Sequence, residues 1–265
     1  MNMREWIVTN GLGGYASLTH QNTNTRKYHG LLVASLNPPT ERWVFVSNVF
    51  DQVILDDKKC NLREYKNRFS FDVFPSFTYE CGHVKIKKTI FMQNEKNTTV
   101  IRYKIDTDKP FTISHNPVLN SRHIYDVNGQ RYLSFDHDIS NNRLFLKPNN
   151  RDESIKIFLK DSEFEPKYYW EELYYSTDRD RRESWVDNNI HIGLLRKQIK
   201  KSCDYYMVLT LEDNIKIDPE KVYLSEIKRK KELLLNADLP VKCNKLILST
   251  DNFIVKKAKN KSEEA

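Results

Sequence analysis

The sequence predicts an all-β protein, a large antiparallel β-sandwich followed by one short C-terminal linker helix. Three observations carry that prediction. Apolar residues recur with a period of two along most of the chain, turn signals separate these runs at short intervals, and helix punctuation marks a single stretch near the C-terminus. At 265 residues and 39% hydrophobic content, the chain can bury a proper core as one large β domain or two small ones.

The clearest element is a hairpin. In HVKIKKTIFMQNEKNTTVIRYKI (83–105), Val84 and Ile86 alternate with lysines, a turn follows at Asn94 to Asn97, and alternation resumes through Val100 to Tyr103. Short strands are expected at 31–35, 43–55, 69–73, 111–115, 131–135, 143–147, 154–159, 189–195 and 204–211, divided by Asn-Pro-Pro, Asp-Asp, Val-Asn-Gly and Asn-Asn. So many strands with few helices between them make a large sandwich. DPEKVYLSEIKRKKELLLN (218–236) breaks the rhythm, with Asp218 as N-cap, Pro219 at N1 and Tyr223, Ile227 and Leu234 on one face. PKYYWEELYYSTDRDRRESW (166–185) crowds five aromatics and then turns charged, which fits a short helix or an excursion better than a strand.

Charge and cysteine usage exclude more than they assign. Against 36 acidic residues, 43 basic ones give a formal +7, but KIKK (85–88), RKQIKK (196–201) and KRKK (228–231) are scattered and read as solvated faces, without the Arg-aromatic stripe of a nucleic-acid site. Cys60, Cys81, Cys203 and Cys243 are far apart and match neither zinc spacing nor a disulfide framework, so no metal and no cofactor is expected. The N-terminus lacks an apolar h-region and no run of 18 apolar residues occurs, so the reading is a reduced, cytoplasmic chain without membrane or nucleic-acid partners.

TNGLGGYASLTHQNTNTRKYHGLLVAS (9–35) is the most pointed stretch, because it holds four of the seven glycines. Gly11, Gly13 and Gly14 lack the third glycine of a dinucleotide fingerprint and the Lys-Ser/Thr of a P-loop. His29 beside Arg26 and Tyr28 has the chemistry of a general base, but no nucleophile elbow accompanies it, and a structural hydrogen-bonding role is the alternative. Glu171, Glu172, Asp178 and Asp180 supply carboxyl groups of the kind glycoside hydrolysis needs, yet among arginines they read first as an ion-paired surface. Tyr168, Trp170 and Trp185 are either a stacking platform for sugar rings or plain packing. No catalytic residue is assigned.

EWIVTNGLGGYAS (5–17) and NTRKYHGLLVASLNPP (24–39) closely resemble the opening of the N-terminal domain of prokaryotic glycogen debranching enzymes of the amylo-alpha-1,6-glucosidase type. The resemblance continues through FTYECGHVKIKKTIFMQNEKNTTVIRYKI (77–105), NPVLNSRHIYD (116–126), the aromatic-charged stretch at 168–183 and DNFIVKK (251–257), covering nearly the whole chain. It implies a mutarotase-like supersandwich, similar to glucoamylase N-terminal domains, over residues 1–215. Residues 216–257 would then be a linker helix and the start of a connection, and 258–265 a disordered tail. In the family, the segment like DNFIVKK leads into an α/α-barrel that opens with a Trp-Gly-Arg-Asp type motif and carries the paired carboxylates. This chain ends at KKAKNKSEEA, so the resemblance implies that the catalytic domain is missing from it, by design or by truncation of the gene. DRDRRES (178–184) departs from the family's Arg-Glu-Arg-Gly-Leu-like run, and His20 to Thr23 follows its own pattern.

Two functions compete on this basis. One is a non-catalytic domain that packs on the barrel and helps shape an α-glucan cleft, binding glycogen or maltooligosaccharide weakly. The other is a free-standing carbohydrate-binding module or a mutarotase-like protein, for which His123 with Asp126 is the available His-carboxylate pairing. Either way, the expected substrate-binding or domain-interface residues are Asn10, Gly11, Gly13, Gly14, Tyr15, Arg26, Tyr28, His29, Arg122, His123, Tyr168, Trp170 and Trp185.

Overall fold

Period-two alternation has its direct outcome in β1 (Glu5–Thr9), where Trp6 and Val8 are buried while Glu5 and Ile7 face outward. The structure is a computed structural model describing residues 4–56, 58–140, 143–213 and 217–256. Parts of the expected turns (57 and 141–142), the 215/216 boundary and the tail at 258–265 lie outside those residues.

The chain continues through β2 (Tyr15–Thr19), β3 (Gly30–Asn37), β4 (Glu41–Leu55), β5 (Lys58–Asn61), β6 (Arg68–Phe71), β7 (Pro75–Cys81), β8 (Val84–Met92), β9 (Thr98–Thr107) and β10 (Phe111–His123). Next come β11 (Phe135–Ser140), β12 (Arg143–Pro148), β13 (Ile155–Leu159), β14 (Glu163–Tyr174), the short helix α1 (Ser176–Asp180), β15 (Val186–Ile199) and β16 (Cys203–Thr210). Two helices close the chain, α2 (Pro219–Asn236) and α3 (Asn244–Asp251). Among the described residues the strands make two eight-stranded antiparallel sheets: β1-β2-β3-β4-β10-β15-β14 with β5 beside β4 (sheet A), and β11-β12-β13-β16-β9-β8-β7-β6 (sheet B). This is the all-β sandwich expected, with Phe45, Val49, Phe77, Ile90, Ile101, Ile113, Leu119, Ile190 and Met207 among the core residues.

One ionic cluster interrupts that core. Asp51 on β4 receives hydrogen bonds from Tyr103 Oη (2.9 Å) and Lys88 Nζ (2.8 Å), and pairs with His115 Nδ1 at 2.7 Å. The other His115 nitrogen meets Tyr205 Oη at 3.1 Å. Sheet A thus supplies the carboxylate and imidazole, and sheet B the ammonium and phenols. KIKK is therefore not wholly a solvated face, because Lys88 is fully buried where Asp51 offers a partner. Burial would raise the Asp51 carboxyl, but the Lys88 charge and the His115 contact outweigh it and hold it at about 2.

The expected C-terminal helix forms over Pro219–Asn236, and the Asp218 side chain accepts from Lys221 N–H at 3.2 Å. Val222, Tyr223 and Ile227 cover Phe74, Phe91, Val100 and Val208 on the outer face of sheet B. Arg229 grips Asp251 with two hydrogen bonds (2.9 and 3.0 Å), and Lys230 adds a third contact, fixing α3 against α2. From there residues 252–256 return to the glycine-rich loop, where Lys256 N–H donates to Gly11 O at 2.8 Å.

Two expectations need correction. Most of 166–174 is strand, not helix or excursion: Tyr168, Trp170, Glu172 and Tyr174 alternate with Tyr169, Glu171 and Leu173 at the edge of sheet A. A register shift between Pro166 and Tyr169 and aromatics on both faces hide the period from sequence, and only α1 beyond it is helical. The strand expected at 131–135 starts only at Phe135 and runs through the polar FDHDIS.

Candidate functional site

The loop between β1 and β2 is set by Asn10, which is fully buried. Its Nδ2 donates to Lys96 O (3.0 Å) and Asn97 Oδ1 (3.1 Å), and its Oδ1 accepts from Leu12 N–H (2.9 Å). Asn97 in turn exchanges two hydrogen bonds with the Ser35 backbone, so the loop is tied to the β8–β9 turn and to β3 together. What presses on the glycines is therefore the chain itself. Gly13 has φ +96°, and a Cβ there would lie 2.6 Å from Pro39 O; at Gly14 it would lie 2.7 Å from Asn10 Nδ2 and 3.0 Å from Val33 O.

Tight packing of that loop sets the wall of a groove of ≈600 Å³ on the outer face of sheet A, lined by Glu5, Ile7, Gly13, Tyr15, Arg26, Tyr28, His29, Arg42, Ile124, Tyr125, Phe253 and Val255 among others. Its floor is the small apolar cluster of Tyr15, Val33, Val44 and Ile124, with Tyr28 packed against it. Tyr15 Oη donates to Tyr28 O at 2.7 Å, and the Tyr28 and Tyr125 rings meet nearly at right angles (84°, centroids 5.8 Å apart). Tyr125 is 62% exposed and Phe253 82%, large values for aromatic rings at a groove. Arg26 Nε donates to Glu5 Oε1 at 2.6 Å. The His29 N–H beside it and the Arg26 guanidinium hold the Glu5 carboxyl at about 2, against the opposing effect of burial.

Under the neighbouring loops the outer face of sheet A is polar yet buried. Arg122 donates from Nε to Asp187 Oδ2 (2.8 Å) and from Nη2 to Lys27 O (2.8 Å) and Tyr175 Oη (3.2 Å). Asp187 also accepts from Asn120 Nδ2, Tyr175 Oη and Asn128 N–H. Asp178, read from sequence as surface, is buried and accepts from Lys27 N–H at 2.6 Å. Loop backbone lying on a sheet must find hydrogen bonds, and these side chains supply them. Arg122 thus fixes the segment carrying Tyr28 and His29 from beneath.

Of the residues singled out in the sequence, Gly13, Tyr15, Arg26, Tyr28 and His29 line the groove, Asn10, Gly11 and Gly14 build its loop, and Arg122 supports it. The His123 ring lies against Trp43 and Tyr125, while Asp126 closes a backbone turn onto His123 O. The aromatic trio divides: Trp170 packs against the core, Trp185 pairs with Tyr174 (5.9 Å), and Tyr168 stands 55% exposed on β14. Glu5, Arg42, Tyr125 and Phe253 were missed, although all but Arg42 lie inside the quoted segments. A larger hollow of ≈760 Å³ on sheet B includes Phe158 and Tyr206, but Arg143 and Arg102 stand over those rings. Among the described residues no group of three or more His, Cys, Asp or Glu is placed to hold a metal ion, and no helix is long and apolar enough to cross a membrane.

Residues 4–206 match the family model described as glycogen debranching enzyme N terminal. Among solved structures, the chain is similar to a bacterial glucoamylase complexed with acarbose, at 14% identity and TM-score 0.45, covering 85% of this chain and 34% of that one. It is also similar to a 4-alpha-glucanotransferase from Thermococcus litoralis, at 8% identity and TM-score 0.42, covering 79% and 37%. The chain thus spans about a third of the length of each. The comparison with curated proteins gave no match.

Proposed function

The chain belongs to the glycogen debranching enzyme N-terminal family, and from that premise we propose that it is the non-catalytic domain of an amylo-alpha-1,6-glucosidase, packing on a catalytic α/α-barrel and helping to shape the cleft that receives an α-glucan branch. Residues 1–215 are the working sandwich in this reading, and 216–257 the connection. The setting is cytoplasmic, and glucan binding by the chain alone is weak, about millimolar to tens of micromolar. One observation carries the reading: the groove gathers residues from 5–17, 24–39, 116–126 and 251–257, four separate segments of the resemblance, at one surface. The return of residues 252–256 to that rim supports placing the barrel beside it.

The test pairs this chain with the barrel domain of the parent enzyme and follows glucose release from a limit dextrin. The chain alone is expected to release none, the pair to release glucose, and Tyr28→Ala with Arg42→Ala to lower that release tenfold or more, about 1.4 kcal/mol in barrier. Glucose release by the chain alone would overturn the non-catalytic reading. Full activity of the barrel without the chain, or of the doubly substituted pair, would favour a free-standing sugar-binding module.

A further inference from the structure

Cys60 and Cys81 are distant in sequence and lie on different sheets, yet both thiols point into one rim of the sandwich. Cys60 on β5 pairs with Val53, and Cys81 on β7 pairs with Val84; both valines belong to the core, and directly opposed residues share a face. Strand alternation agrees, because Phe77, Tyr79 and Cys81 are buried while Glu80 is exposed. The two strand ends also touch. A Cβ on Gly82, next after Cys81, would lie 3.2 Å from Leu55 Cδ1, and Leu55 is the β4 residue paired with Lys58 at the start of β5. Between β5 and β6, the Tyr65 hydroxyl hydrogen-bonds to both sulfurs, and the Cys81 S–H to Cys60.

The two thiols differ in access. Cys60 is half-buried at the rim, whereas Cys81 is buried behind it. Burial and the contact with Cys60 raise the Cys81 thiol above its ordinary value, so it stays protonated. Cys60 is therefore the thiol that meets a reagent from solvent, and Cys81 the one waiting inside. β5 is a four-residue strand held by β4 on one side, so it can close the remaining gap without parting the sheets.

We propose that Cys60 and Cys81 form a redox-sensitive dithiol, closing to a disulfide between the two sheets when Cys60 meets a peroxide. The Cys60 thiolate attacks one peroxide oxygen; the O–O bond breaks, Cys60 becomes a sulfenic acid, and the departing hydroxide takes up the proton that Cys60 had lost. The Cys81 thiol then attacks the Cys60 sulfur, the S–S bond forms, and the hydroxyl leaves with the Cys81 proton as water. Two thiols and hydrogen peroxide thus give one disulfide and two water molecules. The bridge pins β5 and the turn after it, from which Arg63 donates to Glu171 Oε1 on β14 at 2.7 Å. None of this rests on the function proposed above.

Treatment of the folded chain with hydrogen peroxide, followed by alkylation of the remaining thiols in denaturant, intact mass and peptide mapping, tests the proposal. Two of the four thiols should be lost, with a Cys60–Cys81 linked peptide in monomeric protein, full recovery on dithiothreitol, and a Tm several degrees higher in the oxidised chain. Cys60→Ser should abolish the link. Cys81→Ser should also abolish it and leave Cys60 as a sulfenic acid that dimedone traps. In urea-unfolded chain, where nothing holds the thiols together, the link should form at least tenfold more slowly. Four thiols left intact, a bridge made preferentially by Cys203 or Cys243, a link confined to intermolecular dimers, or equal rates in folded and unfolded chain would overturn the pair.

Discussion

Two buried ion pairs sit on opposite faces of sheet A, and they are built alike. Asp51–Lys88 lies between the sheets and Arg122–Asp187 beneath the loops; all four side chains are at most 2% exposed. Their surroundings differ. Asp51 is enclosed by core residues that cannot move aside without parting the sheets. Asp187 is covered by loops, and without Arg122 it would keep three other donors. The first pair is a condition of the sandwich and the second a condition of the groove, so the energy of a buried ion pair depends on how easily water can replace a missing partner.

Breaking the inner pair should have the largest effect. Lys88→Met leaves Asp51 charged in the core and is expected to cost about 3–5 kcal/mol, a fall in Tm of roughly 6–20 °C by calorimetry. A fall no larger than that of Arg122→Met would erase the distinction. Arg122→Met should cost roughly 2–3 kcal/mol, with faster amide exchange confined to residues 20–30 and 175–185 and maltotriose affinity lost while the strands stay protected.

Acid should act on the inner pair in the same sense. The folded Asp51 carboxyl lies at about 2, below its ordinary 3.8, so its contribution is complete above pH ~4 and disappears as pH falls towards 2. Unfolding free energies from denaturant titrations across that window should drop by on the order of 2 kcal/mol, and a flat profile would mean that Asp51 is not ionised in the fold. Gly13→Ala should cost about 1–2 kcal/mol, because the new Cβ meets the Pro39 carbonyl at a positive φ. An unchanged Tm there would show that the loop is free of the domain's packing. Tyr125→Ala should shift stability least, within about 0.5 kcal/mol, since its ring is already mostly in water.

How much of this could be read from sequence follows the same division. Where a strand has one wet face, as with Lys85 and Lys87 outside and Val84 and Ile86 inside, alternation gave the strand directly. Where both faces are covered, in β10 and in residues 187–193 of β15, almost every position is buried whatever its polarity, and the period blurs. β14 was hidden by the opposite circumstance, aromatic and charged residues on both faces. The glycine cluster marked a tightly packed loop, but the neighbours that pack it could not be known: Pro39, Asn94 and Asn97 are distant in sequence. Glu5 and Tyr125 gave no signal in the sequence because they meet His29 and Tyr28 only across a register that the fold supplies.

The hydrogen bond from Lys256 N–H to Gly11 O joins the two ends of the described chain at one rim, reinforced by Lys256 Nζ on Glu95 Oε1 at 3.0 Å. Phe253 and Val255 line the same groove as Tyr28 and Tyr125. Under the function proposed above, glucan occupancy of the groove and attachment of residues 252–256 are linked equilibria, and linkage is reciprocal: whatever the glucan gains from the docked segment, the segment gains from the glucan. Protection of the Lys256 amide is thus a gauge of the groove, readable from outside it.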